Sequence, residues 1–136
     1  MPRWALTTAM LFLALLLVAC QGMGRHAPTG FRLPPGDAEA GKAAFVDLKC
    51  NGCHTVKGVE MPAPTATQVV ELGGAKVLPP TDGDLTTDII LPNSHFATQW
   101  KGTGGKSPMP DFTSVVTIRQ LADLVAFLQS TYGIVK

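Results

Sequence analysis

The chain has 136 residues and a formal net charge of +1, which leaves room for one modest domain. This near-neutral balance argues against a general nucleic-acid or polyanion binder. Fourteen glycines and eleven prolines predict long ordered loops between a few helices. The core of so small a domain usually needs a disulfide, a metal or a cofactor to stabilise it.

The first nineteen residues have the anatomy of a secretory signal. One basic residue, Arg3, precedes an apolar run at 9–19 that is short for a bilayer span and ends in small residues. Residues 17–20, Leu-Val-Ala-Cys, resemble the lipobox of bacterial lipoproteins. That resemblance implies cleavage before Cys20 and acyl chains on its thiol and amine. Several acyl chains anchor a protein to a membrane far more firmly than a single chain does. An uncleaved anchor and an ordinary signal peptide with a chance cysteine are the alternatives.

The predicted organisation has three parts: a signal peptide at 1–19, a lipidated Cys20 with a flexible tether at 20–36, and a domain at 37–136. The tether is rich in Gly and Pro and has little apolar periodicity. His26 within it is interpreted as a solvated residue. The expected location is a bacterial membrane, to which the chain is anchored with its domain facing the periplasm or the cell exterior.

One short motif carries most of the chemical information. The segment Cys50-Asn51-Gly52-Cys53-His54 is the attachment sequence for c-type haem. Two residues between the thiols let both sulfurs reach the vinyl groups on one porphyrin edge, and the next residue, His54, is placed to reach the iron. A covalent haem is also a large apolar body around which a small domain can fold.

Three alternatives for the cysteine pair are weaker. A thioredoxin-like pair belongs to a βαβ pattern, which the sequence does not show. A structural zinc site needs four ligands, and there is no second cysteine pair. A disulfide between Cys50 and Cys53 would close a very small loop that adds little stability.

The candidates for the second axial position are Met61, His95 and Met109. Met61 follows His54 too closely to reach the opposite face of the ring. Met109 lies in Ser-Pro-Met-Pro, where the flanking prolines stiffen the loop, and Met/His ligation is a recognised arrangement. His95 would give a bis-histidine haem; otherwise it is a surface loop residue. The alternative for Met109 is a buried gap-filler.

Two helices frame the motif. Asp37 is a candidate N-cap for a helix to about Leu48 whose face carries Gly41, Ala44 and Phe45. A capping box at Thr117 and Gln120, flanked by Val116 and Leu121, predicts the start of a last helix. Its apolar face is Leu121, Leu124, Val125 and Leu128, and Gly133 is expected to end it. Because Gly41 has no side chain, the first helix is expected to cross the last there.

These segments together resemble class I cytochromes c over about residues 37–132. The shared pattern comprises Gly41-Lys42-Ala43-Ala44-Phe45, the Cys50–His54 motif, Met109-Pro110 and Asp123-Leu124-Val125-Ala126-Phe127-Leu128. The resemblance implies an all-α fold with one covalent haem c, in which the terminal helices cross at Gly41, Phe45, Leu124 and Phe127. It also implies a short helix at 84–92, similar to that in cytochrome c domains fused to some terminal oxidases.

The chain departs from the family after the histidine. Members commonly carry a Gly-Pro there, with a nearby carbonyl that accepts the imidazole proton. This chain offers Pro62 or Pro64 instead, and such a bond would tune the iron. Trp100 is placed either to donate to a haem propionate or to pack on the core with its polar edge outward.

With both axial positions filled, the predicted function is outer-sphere transfer of one electron at fairly high potential, without enzymatic chemistry or a small-molecule substrate. The partners expected are redox proteins and, through the anchor, the membrane. Two alternatives are a subunit of a larger membrane redox complex and a haem enzyme or gas sensor in which Met109 does not ligate. Four lysines bracket the haem and methionine segments and would form either a docking patch for a partner or simply solvated surface: Lys49, Lys57, Lys101 and Lys106.

Overall fold

The computed structural model describes residues 31–94 and 106–135. Contacts divide the chain into two units, Met1–Arg32 and Leu33–Lys136, and the second unit contains every element discussed below. This unit begins four residues before the domain boundary at Asp37 that the sequence predicts. In the described part of the chain, no helix has both the length and the apolar character needed to cross a membrane.

Helix α1 (Ala38–Asp47) begins where the sequence predicts. The Asp37 carboxylate accepts hydrogen bonds from the backbone N–H of Glu39 (2.8 Å) and Ala40 (3.0 Å), so two of the helix's unpaired donors are satisfied. The helix ends at Leu48, whose N–H donates to the Ala44 carbonyl. Lys49 then adopts left-handed backbone angles (φ 62°), which turn the chain into the cysteine motif.

The middle of the unit contains short strands as well as a helix, so the expectation of an all-α fold needs correction. Strand β1 (His54–Val56) pairs in parallel with β2 (Val70–Leu72), and β3 (Gly74–Lys76) pairs in parallel with β4 (Tyr132–Ile134). Each strand has three residues, too few to give an alternating apolar pattern that can be recognised in a sequence. The fold is therefore mostly helical, with two small parallel ladders.

Helix α2 (Asp82–Ile90) lies close to the predicted 84–92 segment. A capping box starts it: Thr81 Oγ1 accepts from the Asp84 N–H at 3.2 Å, and the Asp84 carboxylate accepts from the Thr81 N–H at 2.8 Å. The helix buries Leu85 in the core and precedes the chain segment that leads toward Met109.

Helix α3 (Ile118–Thr131) confirms the predicted capping box at Thr117 and Gln120 and buries the predicted apolar face, Leu121, Leu124, Val125 and Leu128. Its end differs from the prediction. The helix stops at Thr131, Tyr132 is extended, and Gly133 lies inside β4. The C-cap is Tyr132, whose N–H donates to the Gln129 carbonyl, and its extended backbone leads directly into β4.

The interface between α1 and α3 forms the centre of the core, as predicted. A Cβ atom on Gly41 would lie 2.7 Å from Phe127 Cβ and even closer to the Asp123 backbone, so only glycine permits this crossing. Phe45 packs edge-on to Phe127, with ring centroids 5.7 Å apart. Gly36 makes a second close approach, to Ala122 and Ala126, although the sequence placed it in the tether.

Candidate haem site

A cavity of about 480 Å³ lies between the cysteine motif and the loop that carries Met109. Its volume is within the range of small-molecule and cofactor sites. Four segments that are distant in the sequence line it: residues 48–54, 66–70, the end of α2 with Pro92, and 107–112. The first segment contains the predicted haem-binding residues Cys50, Cys53 and His54, and the last contains the predicted ligand Met109.

The two cysteines lie on a tight turn that brings both toward the cavity. A 3-10 turn over Cys50–Gly52 is closed by N–H donation from Gly52 to the Lys49 carbonyl (3.0 Å) and from Cys53 to the Cys50 carbonyl (3.1 Å). Both thiols are free; Cys50 is half-buried and Cys53 exposed. Burial raises the pKa of Cys50, and the neighbouring Cys53 adds to this rise, while a backbone hydrogen bond opposes it.

His54 is placed by the β1–β2 ladder. It is in register with Val70, whose N–H donates to the Cys53 carbonyl at 3.0 Å, so the backbone on both sides of the imidazole is fixed. Burial lowers the pKa of His54, and a backbone hydrogen bond with Val70 partly opposes this effect. The neutral imidazole that burial favours is the form that ligates metals.

The Nδ1 atom of His54 is buried, and no described group lies in position to hydrogen-bond with it. Neither Pro62 nor Pro64 therefore accepts its proton, contrary to the expectation. The Pro62 carbonyl instead accepts from Asn51 Nδ2 at 3.4 Å. Behind the imidazole lies Phe45, with its ring centroid 6.5 Å away, which connects His54 to the packed α1–α3 core.

Met109 is half-buried and lines the same cavity, and polar contacts as well as prolines hold its loop. The Met109 N–H donates to Ser107 Oγ at 3.1 Å, and the Ser107 N–H donates to Asn93 Oδ1 at 2.7 Å. Sequence reasoning missed Asn93 and Ser107. The only sequence signal for Asn93 is its position in the turn after α2, because its partner lies fourteen residues further on.

The residues present fit a covalent haem. Two free thiols, an imidazole with a buried unpaired nitrogen and a thioether line one cavity of suitable size, and sulfur and imidazole donors suit iron. Among the described residues, no group of three or more His, Cys, Asp and Glu side chains is assembled to hold a bare metal ion.

The other candidates have different outcomes. Met61 packs against the hydrophobic core cluster, as a gap-filling methionine does. His95 and Trp100 lie outside the described residues, as do Cys20 and His26, so their predicted roles stay predictions.

The predicted lysine patch is divided among different surfaces. Lys49 lines the cavity, and the exposed Lys106 directly precedes the Met109 loop. Lys57 instead lines a second depression together with Glu39 and Glu60, and its aliphatic stem lies against Gly74. Lys101 lies outside the described residues.

Comparison with known proteins identifies the family of the chain. The family model "Cytochrome c" matches residues 38–132, which is most of the chain, and the chain therefore belongs to the cytochrome c family. No curated protein and no solved structure matches it. Membership of this family indicates a haem-based electron carrier with covalently bound haem c.

Proposed function

We propose that this chain is a class I cytochrome c with one haem, exported and anchored to a bacterial membrane through Cys20, that transfers single electrons between redox proteins. The observation that carries the proposal is that Cys50, Cys53, His54 and Met109 line one cavity. Met109 reaches it although it lies 55 residues after His54 in the sequence.

Each of these residues has a distinct role in the proposal. Cys50 and Cys53 would hold the group through thioether bonds, and His54 and Met109 would ligate its iron. When bound, the haem supplies a one-electron couple, whose potential an apolar site and a methionine ligand both raise. The protein holds the ligands at fixed positions: the β1–β2 ladder fixes His54, and the Asn93–Ser107 contacts fix Met109.

Occupation of both axial positions is also the reason to propose a carrier and no enzymatic activity. Small molecules then have no coordination position to enter, and the remaining route is electron transfer through the edge of the cavity to a docked partner. The proposed docking is brief, and charges such as those of Lys49 and Lys106 near the cavity assist it.

The first test is the visible spectrum of the purified mature protein, oxidised and then reduced. We expect a sharp c-type α-band on reduction and the weak near-red sulfur-to-iron band on oxidation. A c-type spectrum without the near-red band would reject Met109 as a ligand. Rapid binding of carbon monoxide by the reduced protein at neutral pH would reject the carrier in favour of an open iron.

The anchor is tested separately by the mass of the mature chain. Cleavage before Cys20 with added diacylglycerol and acyl groups is expected, together with recovery in the membrane fraction. The Cys20→Ser variant should lack these lipids. A mature chain that begins elsewhere and carries no lipid would refute the anchor but leave the haem site unaffected.

A further inference from the structure

Four aliphatic side chains at the end of the β3–β4 ladder are exposed, although the molecule has a packed core elsewhere. Val77 and Leu78 follow β3 and are 79% and 88% exposed; Ile134 and Val135, at the end of β4, are 68% and 52% exposed. We call these four residues the strand tip. Scattered exposed apolar residues need no explanation, but a contiguous group on a small domain marks an interaction site.

The backbone holds the strand tip together. Ile134 is in register with Lys76, and the Val135 N–H donates to the Lys76 carbonyl at 3.1 Å, so the two aliphatic pairs lie side by side. Further along, Gln129 Nε2 donates to the Pro80 carbonyl at 2.8 Å. The segment that contains Val77 and Leu78 is therefore tied to β4 at one end and to α3 at the other.

The two segments that form the strand tip have no acidic side chain: the sequence has neither Asp nor Glu at 72–81 or at 124–136. Lys76 is directly paired with the tip, because it is in register with Ile134 and accepts a hydrogen bond from the Val135 N–H. Aliphatic side chains beside a lysine suit the boundary between headgroups and acyl chains of an anionic bilayer. A neutral or basic protein surface would gain nothing from this lysine.

We propose that the strand tip docks on an anionic lipid surface and orients the domain on the membrane to which it is tethered. The inference rests on the lipid anchor proposed above, because a tether keeps the membrane at high effective concentration and lets a small contact suffice. Four side chains cover far less than the roughly 1,200 Å² of a stable protein interface, which argues against a second copy of the chain as the occupant.

Docking at the strand tip leaves the cavity free. The tip follows the C-terminal end of α3, whereas Phe112 of the cavity wall precedes its N-terminal end. A helix of this length separates its two ends by about 20 Å. No residue belongs to both the strand tip and the cavity lining. Because the two sites are formed by different residues, we expect a redox partner to keep access to the cavity while the domain rests on lipid.

The test uses the full, haem-loaded, mature chain reconstituted on the outside of vesicles. Leu78→Cys and, as a second probe, Ile134→Cys introduce a thiol at the strand tip, and Val115→Cys introduces the control at the other end of α3, where Val115 is 57% exposed. The rate of reaction with a charged, water-soluble maleimide is compared between vesicles with phosphatidylglycerol and vesicles of phosphatidylcholine alone. Peptide mass mapping locates each adduct.

On phosphatidylglycerol vesicles, the strand-tip thiols are expected to react roughly tenfold more slowly, because contact with lipid shields them from the charged reagent. The rate at the control position should be unchanged. Lys76→Glu should remove this protection. Equal rates at all three positions, or equal slowing at all three, would overturn the proposal. The proposal would also be overturned if the strand-tip thiols reacted more slowly at raised protein concentration without vesicles, because a second copy of the chain would then be covering the tip.

Failure of the inference and failure of the proposed function give different results. The visible spectrum and the mass of the same sample show whether the haem and the lipid are present. A normal spectrum and a lipidated mass with unprotected strand-tip thiols would reject only the docking surface.

Discussion

At the scale of single residues, the proposed methionine ligand depends on its immediate hydrogen-bonded neighbours. Met109 is on a loop with prolines on both sides, and its N–H and that of Ser107 both donate to side chains. An iron–sulfur bond is weak, so its formation depends on a loop that already holds the thioether in place.

Substitution of Met109 gives the most direct test of the ligand. Met109→Leu keeps the volume but removes the sulfur, so the near-red band should disappear and the reduction potential should fall. Redox titration with visible detection measures both. The matched control is Met61→Leu, in the core, where a volume-conserving swap costs less than about 1.5 kcal/mol and should leave both quantities unchanged.

Removal of the loop's polar support should weaken the same ligand indirectly. Asn93→Ala deletes the acceptor for the Ser107 N–H, a bond worth about 0.5–1.5 kcal/mol, without touching Met109. Competition by added imidazole should then succeed at a concentration roughly three- to tenfold lower. The neighbouring Ser94→Ala, which removes a hydroxyl that donates to the Leu91 carbonyl, is the control. An equal effect from Ser94→Ala would show general loosening of the turn.

At the scale of elements, the crossing of α1 and α3 determines the packing of the domain. Its closest approaches are at Gly36 and Gly41, where the α3 backbone leaves no space for a Cβ atom. The Asp37 N–H also donates to the Asp123 carboxylate, which is buried, at 2.8 Å. The start of α1 is therefore fixed to α3 by a close backbone contact and by a hydrogen bond.

Gly41→Ala should therefore be strongly destabilising. The added methyl would overlap the Asp123 backbone, which cannot move without shifting α3, and overpacking of this kind costs about 1–3 kcal/mol or more. Urea unfolding of the haem-loaded protein measures the change in free energy. Gly133→Ala is the matched control, because nothing lies within 4 Å of its Cβ position. Similar losses in the two variants would contradict this account of the crossing.

At the scale of the whole molecule, the domain is arranged around the cavity. The cavity of about 480 Å³ is lined by apolar side chains such as Leu48, Val70 and Phe112. A bound haem would remove apolar surface there from water, and at roughly 25 cal/mol per Å² a few hundred Å² is worth several kcal/mol. The total stability of a small domain is about 5–15 kcal/mol. Haem attachment is therefore expected to decide whether the domain is stably folded.

A chain that cannot attach haem should lose cooperative structure. The Cys50→Ala, Cys53→Ala double variant removes both thiols while the helices keep their caps and packing partners. We expect weakened helical circular dichroism and a broad thermal transition far below that of the haem-loaded protein. A sharp transition within a few degrees of the haem-loaded protein would show that the domain folds without its cofactor.

The two helices and their caps were predictable from the sequence because the interactions that start them are local. Asp37 and the Thr117–Gln120 box act within three residues, and the apolar face of α3 repeats at helical spacing. The cysteine motif was also readable, since its chemistry requires a fixed short spacing. Each of these signals lies within one segment, so its physical cause is visible without knowledge of the fold.

Features that join distant segments were decided only by the tertiary structure. The parallel ladders pair residues 16 and 58 positions apart. Their three-residue strands are too short to show an alternating pattern of apolar and polar residues in the sequence. The folded unit begins at Leu33, before Asp37, because Leu33 packs against the core and Gly36 lies against α3. Among the described residues no carbonyl accepts from His54 Nδ1, and Asn93 supports the Met109 loop through Ser107. Both features likewise depend on where loops pass one another. Local chemistry predicts the cofactor ligands, but only chain packing brings those residues around a common cavity, because that packing depends on contacts that no single segment contains.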